Sequence, residues 1–160
     1  MKKPQRKKVS AGLLMYRIKS GLLEVFLVHP GGPFFAKKDE GVWSIPKGEI
    51  EAEEDFLKAA IREFEEETGL KPTGEFLPLG KIKQKGGKIV YAWAFKGDCD
   101  ENQPIQSNTF RIEWPPHSGK QKEFPEIDRA EFFEAETAKR KINPAQIILI
   151  ERLQSFLKPS

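Results

Sequence analysis

The chain has 160 residues, of which 38% are hydrophobic, and its 27 basic and 24 acidic residues give a formal charge of +3. That size and mixture suit one soluble globular domain with a real core, and no apolar run approaches the roughly 18 residues of a membrane span. The positive charge is local: Lys2, Lys3, Arg6, Lys7 and Lys8 contribute five charges, and the remaining 22 basic and 24 acidic residues leave −2. Residues 1–8 therefore read as a basic, solubilising, disordered arm, with nucleic acid or an anionic surface as the alternative, and residues 9–157 as one near-neutral domain. No signal-peptide apolar segment stands at the N-terminus, and the single Cys99 has no internal disulfide partner. Both features lead to an expectation of a reducing, cytoplasmic setting.

Val9 to Tyr16 and Leu23 to Val28 are apolar runs separated by the Lys19-Ser20-Gly21 turn, which predicts a hairpin. His29 to Gly41 is a loop by its Gly and Pro content. Its Phe34 and Phe35 either pin the loop to the core or, beside Lys37 and Lys38, stack a base and meet phosphates. His29 reads as a strand-end histidine. Val42 to Ile45 is a short predicted strand, turned by Pro46-Lys47-Gly48 into the most informative stretch of the chain. Gly48 to Leu70 holds nine carboxylates and two basic residues, Lys58 and Arg62. Phe56, Leu57, Ala60, Ile61 and Phe64 recur at helical spacing, so Glu53 to Thr68 is a predicted amphipathic helix stopped by Gly69. Glu63, Glu66 and Glu67, at i, i+3 and i+4, share one face of it. Like charges at that spacing repel by a few tenths of a kcal/mol per pair. The bland explanation is a solvated acidic face; the sharper one is a divalent cation with oxygen ligands, Mg²⁺ or alternatively Mn²⁺.

Glu75 to Gln84 and Lys88 to Phe95 flank Gly86-Gly87 and predict a second hairpin. Tyr91, Trp93 and Phe95 alternate along it, as a core face or as a ligand wall. Gly97 to Ser107 reads as a polar loop, Asn108 to Trp114 as a strand, and His117 to Glu126 as a polar, mobile connection. Ile127 to Phe133 is the last predicted strand and Ala135 to Ile142 a short helix. Asn143-Pro144 then caps a final helix over Ala145 to Leu157. Such alternation predicts an α/β fold with a mixed sheet.

Gly48, Glu54, Arg62, Glu63, Glu66, Glu67, Gly69 and Leu70 match G-x5-E-x7-R-E-U-x-E-E-x-G-U, where U is bulky and aliphatic. By this motif the chain resembles the Nudix hydrolases, over about Val9 to Leu157. Phe64 departs from the usual aliphatic at the first U but keeps its apolar role. The resemblance implies a single-domain α/β/α sandwich. It implies Mg²⁺ ligation by Glu63, Glu66, Glu67 and the Gly48 carbonyl. Glu63 would also orient or deprotonate the attacking water, with Arg62 holding it in place, while Glu54 and Gly69 have structural roles. Many relatives add one late-loop Glu, for which Glu123 is the first candidate here and Glu126 the second. Lys47, Phe34, Lys37 and Lys38 are the candidate substrate contacts.

The expected activity is Mg²⁺-dependent cleavage of a phosphoanhydride in a nucleoside diphosphate linked to another moiety. WSIPKGE resembles the W-x-x-P-K-G-[HE] of Nudix enzymes acting on dinucleoside polyphosphates and diphosphoinositol polyphosphates, and Lys47 stands where mutator-type enzymes tend to carry Gly. Dinucleoside polyphosphates are therefore the leading substrate class and nucleoside triphosphates the second. The segments LEVFLVHPGG, WSIPKGE and EWPPHSG are similar to a bacterial subfamily described only as predicted nucleoside triphosphate pyrophosphohydrolases. From other classes, a non-catalytic nucleotide sensor and an RNA-directed protein are the rivals. The oligomeric state is open, a homodimer included.

Overall fold

In the computed structural model, residues 8–100 and 107–158 are described. The elements are β1 (Val9–Lys19), β2 (Leu22–Pro30), β3 (Lys47–Glu49), α1 (Phe56–Thr68), β4 (Leu77–Lys83), β5 (Ile89–Lys96), β6 (Thr109–Glu113), β7 (Gln121–Pro125), β8 (Ile127–Glu134), α2 (Ala135–Lys141) and α3 (Ile147–Leu157). One six-stranded sheet has the order β4-β5-β1-β2-β8, with β3 paired to β1, and β6 and β7 form a separate two-stranded sheet. β1 runs parallel to β5, and the other pairings of the large sheet are antiparallel, so that sheet is mixed.

β1 is central and buried on both faces, which explains its near-continuous apolar run. Leu14 points with Val25, Leu27, Val90 and Ala92 into a core closed by Ala138, Leu149, Ile150 and Leu153 of α2 and α3. Ala11, Leu13 and Met15 point the other way, with Phe26 and Val28, against Ala59, Ala60 and Phe64 of α1. The molecule is thus the expected α/β/α sandwich in one domain. Phe64 is fully buried, edge-on to Phe95 at 5.2 Å and tilted against Phe26 at 6.5 Å. Burying a side chain of that size contributes about 2–3 kcal/mol, and the aromatic neighbours explain why a ring fits where an aliphatic is usual.

Both predicted hairpins form, with Ser20 and Gly21 at positive φ in one turn and Gly86 and Gly87 in the other. Four expectations need correction. Val42 to Ile45 is not a strand: Trp43 and Ser44 make single bridges to Ile142 and Val28. The paired segment is Lys47–Glu49, where a turn was expected. The reason lies in β2, which leaves β1 after Tyr16↔Val25 and frees the edge of Ser10 to Gly12 for a new antiparallel partner. α1 begins at Phe56 rather than Glu53, because Asp55 caps it by accepting the Lys58 N–H at 3.1 Å while Glu53 sits at φ 62. The connection His117 to Glu126 contains β7, paired with β6 over five residues. At the C-terminus, Asn143 does accept the Ala145 N–H, but Pro144–Gln146 forms a 3-10 turn and α3 starts at Ile147. Of the aromatic alternation on β5, Phe95 is core, while Tyr91 and Trp93 are half-buried on the α1 side. Most of the basic arm, residues 1–7, and residues 101–106 of the polar loop lie outside the described residues.

Candidate active site

α1 and the loop before it are tied together by one guanidinium. Arg62 Nε and Nη2 donate to the two carboxylate oxygens of Glu54 at 2.8 and 2.9 Å, and Nη2 also donates to the Glu49 carbonyl at 3.3 Å. Its Nη1 donates to Glu63 Oε1 at 2.8 Å and reaches Glu66 at 3.4 Å. Glu54 in turn accepts the Glu51 N–H at 3.0 Å, closing the turn that precedes the helix. The fork geometry of Arg suits this task, since a single ammonium offers no bidentate match. Hydrogen bonding to Arg62, then to the Glu51 amide, holds the Glu54 carboxyl down at about 2. These contacts fix the direction in which Glu63 leaves the helix.

The other end of the site is β3. Gly48 lies so close to Glu63 that a Cβ at this position would sit 2.1 Å from the Glu63 carboxyl carbon. Only a residue without a side chain permits that approach. The Lys47 N–H donates to Glu67 Oε2 at 3.0 Å, so the backbone of β3 grips the last of the motif carboxylates. Burial raises the Glu63 carboxyl above its usual range, against the lowering by Arg62, with Glu66 and Glu126 adding to the rise. Glu67 is pushed up to about 8, chiefly by burial and further by Glu63 and Glu126. The Lys47 ammonium is lowered by burial, against the pull of Glu67, Glu63 and Glu49. Glu66 is exposed. Carboxylates crowded in this way hold their charge poorly by themselves and favour a cation.

The structure brings together Lys47, Gly48, Arg62, Glu63, Glu66 and Glu67, with Glu54 and Gly69 in support. Gly69, at φ 76, donates its N–H to the Glu65 carbonyl and ends α1. Of the two late-loop candidates, Glu126 is the one whose charge acts on Glu63 and Glu67. Glu123 is spent within the β6–β7 hairpin, accepting from Thr109 and pairing with Arg111 at 3.9 Å. Glu126 is placed by its backbone: its carbonyl accepts the Gly31 N–H at 2.8 Å and its N–H donates to Asn108. Gly31 was missed in the sequence as part of this placement. A Cβ there would fall 2.0 Å from the Pro125 carbonyl oxygen, so the glycine lets β2 and the β7–β8 corner touch. The Gly31-Gly32 pair was the only signal.

The remaining candidates lie elsewhere. Phe34 is 61% exposed and packs edge-on against Trp114 at 5.6 Å, on the hairpin that also carries Phe110 against Gly32. Lys37 and Lys38 line a cleft with Trp43 and Phe133, which belong to or pack against the α2–α3 core, on the sheet face opposite α1. His29 is buried and joins Asp128 and the Lys38 carbonyl, a structural position.

The model of the NUDIX domain matches residues 6–153. The chain belongs to the NUDIX family. It is a NUDIX hydrolase, a pyrophosphohydrolase by class. Among solved structures, a C. elegans Ap4A hydrolase binary complex is 25% identical with a TM-score of 0.62, covering 94% of this chain and 97% of that one. The NUDIX domain of Shewanella oneidensis NrtR, complexed with ADP ribose, is 16% identical with a TM-score of 0.68, covering 96% and 90%. A mutT/nudix family protein from Listeria innocua is 15% identical with a TM-score of 0.63, covering 96% of each chain. The last two share the fold. No curated protein sequence matches the chain. Among the described residues no helix is long and apolar enough to cross a membrane.

In this NUDIX helix the Glu54–Arg62 fork has a testable weight. Glu54→Gln is expected to lower stability by about 2 kcal/mol at pH 7, the scale of losing a charged hydrogen-bond partner. Because the folded Glu54 carboxyl lies below its unfolded value, the loss is full above the unfolded value. It fades as pH falls from about 4.5 towards about 2. Urea unfolding of the two proteins at pH 7 and pH 3 checks it; an equal difference at both would refute the ionic account.

Proposed function

We propose that this NUDIX hydrolase cleaves a phosphoanhydride in a dinucleoside polyphosphate, by a Mg²⁺-assisted attack of water. The observation that carries the reaction is the packing of Glu63 on Gly48 with Glu67 gripped by the Lys47 amide. Among the described residues no three His, Cys, Asp or Glu side chains are already gathered as a metal-holding group. The donor chemistry nevertheless fits: hard carboxylate oxygens, crowded and mutually repelling, beside a backbone that a glycine lets approach. Glu63, Glu66, Glu67 and the Gly48 carbonyl would hold the ion. When bound it neutralises phosphate oxygens and activates water.

The chain's own groups do the rest. Arg62 holds Glu63 in one orientation, and burial gives Glu63 a proton affinity suited to taking a proton from water. Lys47 places a cation beside Glu67 for the substrate phosphates. Glu126 supplies the late-loop carboxylate in place of Glu123. Phe34 on Trp114 offers an exposed aromatic surface for a base. The choice of a dinucleoside polyphosphate is supported by the WSIPKGE segment and by the 25% identical Ap4A hydrolase.

The test is a release assay with Mg²⁺ over diadenosine tetraphosphate, the nucleoside triphosphates and ADP-ribose. The highest kcat/KM is expected on diadenosine tetraphosphate. A preference for nucleoside triphosphates, with pyrophosphate released, would replace the substrate class while keeping the chemistry. Absence of turnover across the panel would favour the sensor.

A further inference from the structure

The cleft that contains Lys37 and Lys38 has a chemistry of its own. Arg129 and Phe133 of β8 lie in register with His29 and Val25 of β2, on the face covered by α2 and α3. The NUDIX helix packs on the other face. The cleft measures about 450 Å³, within the ~300–1,000 Å³ range of small-molecule sites. Four cations converge on it from three elements: Lys37 and Lys38 from the loop after β2, Arg129 from β8, and Lys141 from the end of α2.

Among the described residues, Lys141 is the one of the four cations held in an ion pair. It pairs with Asp39, which also accepts the Trp43 Nε1–H at 2.9 Å and whose carboxyl is held below its usual range by these partners. Arg129 lies 5.1 Å from the Trp43 ring centre and the Lys38 amine 5.6 Å from that of Phe35. Such contacts orient a cation but leave its charge in place. Among the described residues no carboxylate forms an ion pair with Lys37, Lys38 or Arg129. Glu131 is the one carboxylate on the lining apart from Asp39.

The floor is rigid. Trp43 is 1% exposed and meets Phe133 edge-on at 4.9 Å. The His29 ring joins the Lys38 carbonyl at 2.7 Å to Asp128 at 2.7 Å, so the lysine-bearing loop is tied to the sheet. Four cations against two carboxylates, around a fixed, partly aromatic floor, leave a positive excess that matches a compact dianion better than a single carboxylate. The guanidinium fork suits a tetrahedral oxyanion.

We infer that this cleft is a second binding site, for a phosphoryl anion, on the opposite face of the sheet from the hydrolytic carboxylates. The shared chemistry is a phosphate dianion, supplied by an inorganic phosphate or by a nucleotide.

Isothermal titration in EDTA, with pyrophosphate and with AMP as probes, tests it. EDTA removes any divalent ion that would draw such ligands to the NUDIX carboxylates. Saturable binding is expected, weakening as NaCl is raised. Arg129→Gln and the double variant Lys37→Ala/Lys38→Ala should each weaken it by about five- to tenfold, and Glu66→Gln should leave it unchanged. Tighter binding of AMP than of pyrophosphate would mark a nucleotide site; the reverse would mark a site for inorganic phosphates. Circular dichroism melting of each variant separates lost binding from lost fold, and if Arg129→Gln unfolds, the exposed-loop pair decides. Undetectable binding of both probes at millimolar concentration, unchanged affinity in the folded variants, or loss in Glu66→Gln would overturn the inference. None of these outcomes depends on the hydrolytic substrate.

Discussion

Glu67→Gln is expected to reduce hydrolysis about a thousandfold while leaving the melting temperature of the metal-free protein within a few degrees of wild type. Glu67 is pushed up to about 8 by burial, so in the metal-free protein at pH 7 its carboxyl is largely protonated and neutral. Gln is close to that neutral form in shape and keeps an oxygen for the Lys47 N–H now at 3.0 Å. The fold therefore loses little. In the proposed metal site, by contrast, a carboxylate binds the ion in its ionised form, and a neutral amide oxygen is a weaker substitute for it. Losing several kcal/mol of metal-derived stabilisation in the transition state corresponds to about three orders of magnitude in rate. Steady-state kinetics with saturating Mg²⁺, alongside calorimetric melts in EDTA, give both numbers. Near-normal turnover would remove Glu67 from the metal set, and a collapse of the melt would make its role structural.

Gly48→Ala should cost activity on a similar scale, for a geometric reason. The added methyl would sit 2.1 Å from the Glu63 carboxyl carbon and 2.1 Å from Oε2, so one of the two must move. Glu63 cannot yield freely, since Arg62 holds its other oxygen at 2.8 Å and is itself anchored by Glu54. β3 cannot yield freely either, because Gly48 is in register with Ala11 of the central strand. A displacement of about 1 Å at a catalytic group costs on the order of a hundredfold in rate. The loss should appear in kcat, with a smaller loss of stability measured by urea unfolding. An alanine variant with normal kcat would show that Glu63 works from a different position.

The two variants also show which parts of this protein are written locally. The glycine at 48 and the run Arg62-Glu63 with Glu66-Glu67 are visible as spacing, because one helix and one turn place them and a helix has a fixed period. Arg62 reaching back eight residues to Glu54 is local in the same sense. The surroundings of the two late-loop candidates were not readable in this way. Glu123 and Glu126 stand three residues apart in KEFPE, and their different surroundings depend on β7, which pairs with β6 and engages Glu123 with Thr109 and Arg111. Nothing in a polar stretch announces that pairing, since a hairpin outside the main core needs no strong apolar alternation.

By itself, then, the sequence determined the two-layer cover of a mixed sheet, the helix that carries the motif and the carboxylates on its face, because periodicity and turn residues act within a few positions. Only the tertiary structure decided that Lys47–Glu49 is a strand, that the charge of Glu126 acts on Glu63 and Glu67, and that Lys37 and Lys38 belong with Arg129 and Lys141 on the opposite face. Those outcomes depend on which backbone edges are left unpaired and which sheet face a side chain meets, and both are set by contacts between residues distant in the chain.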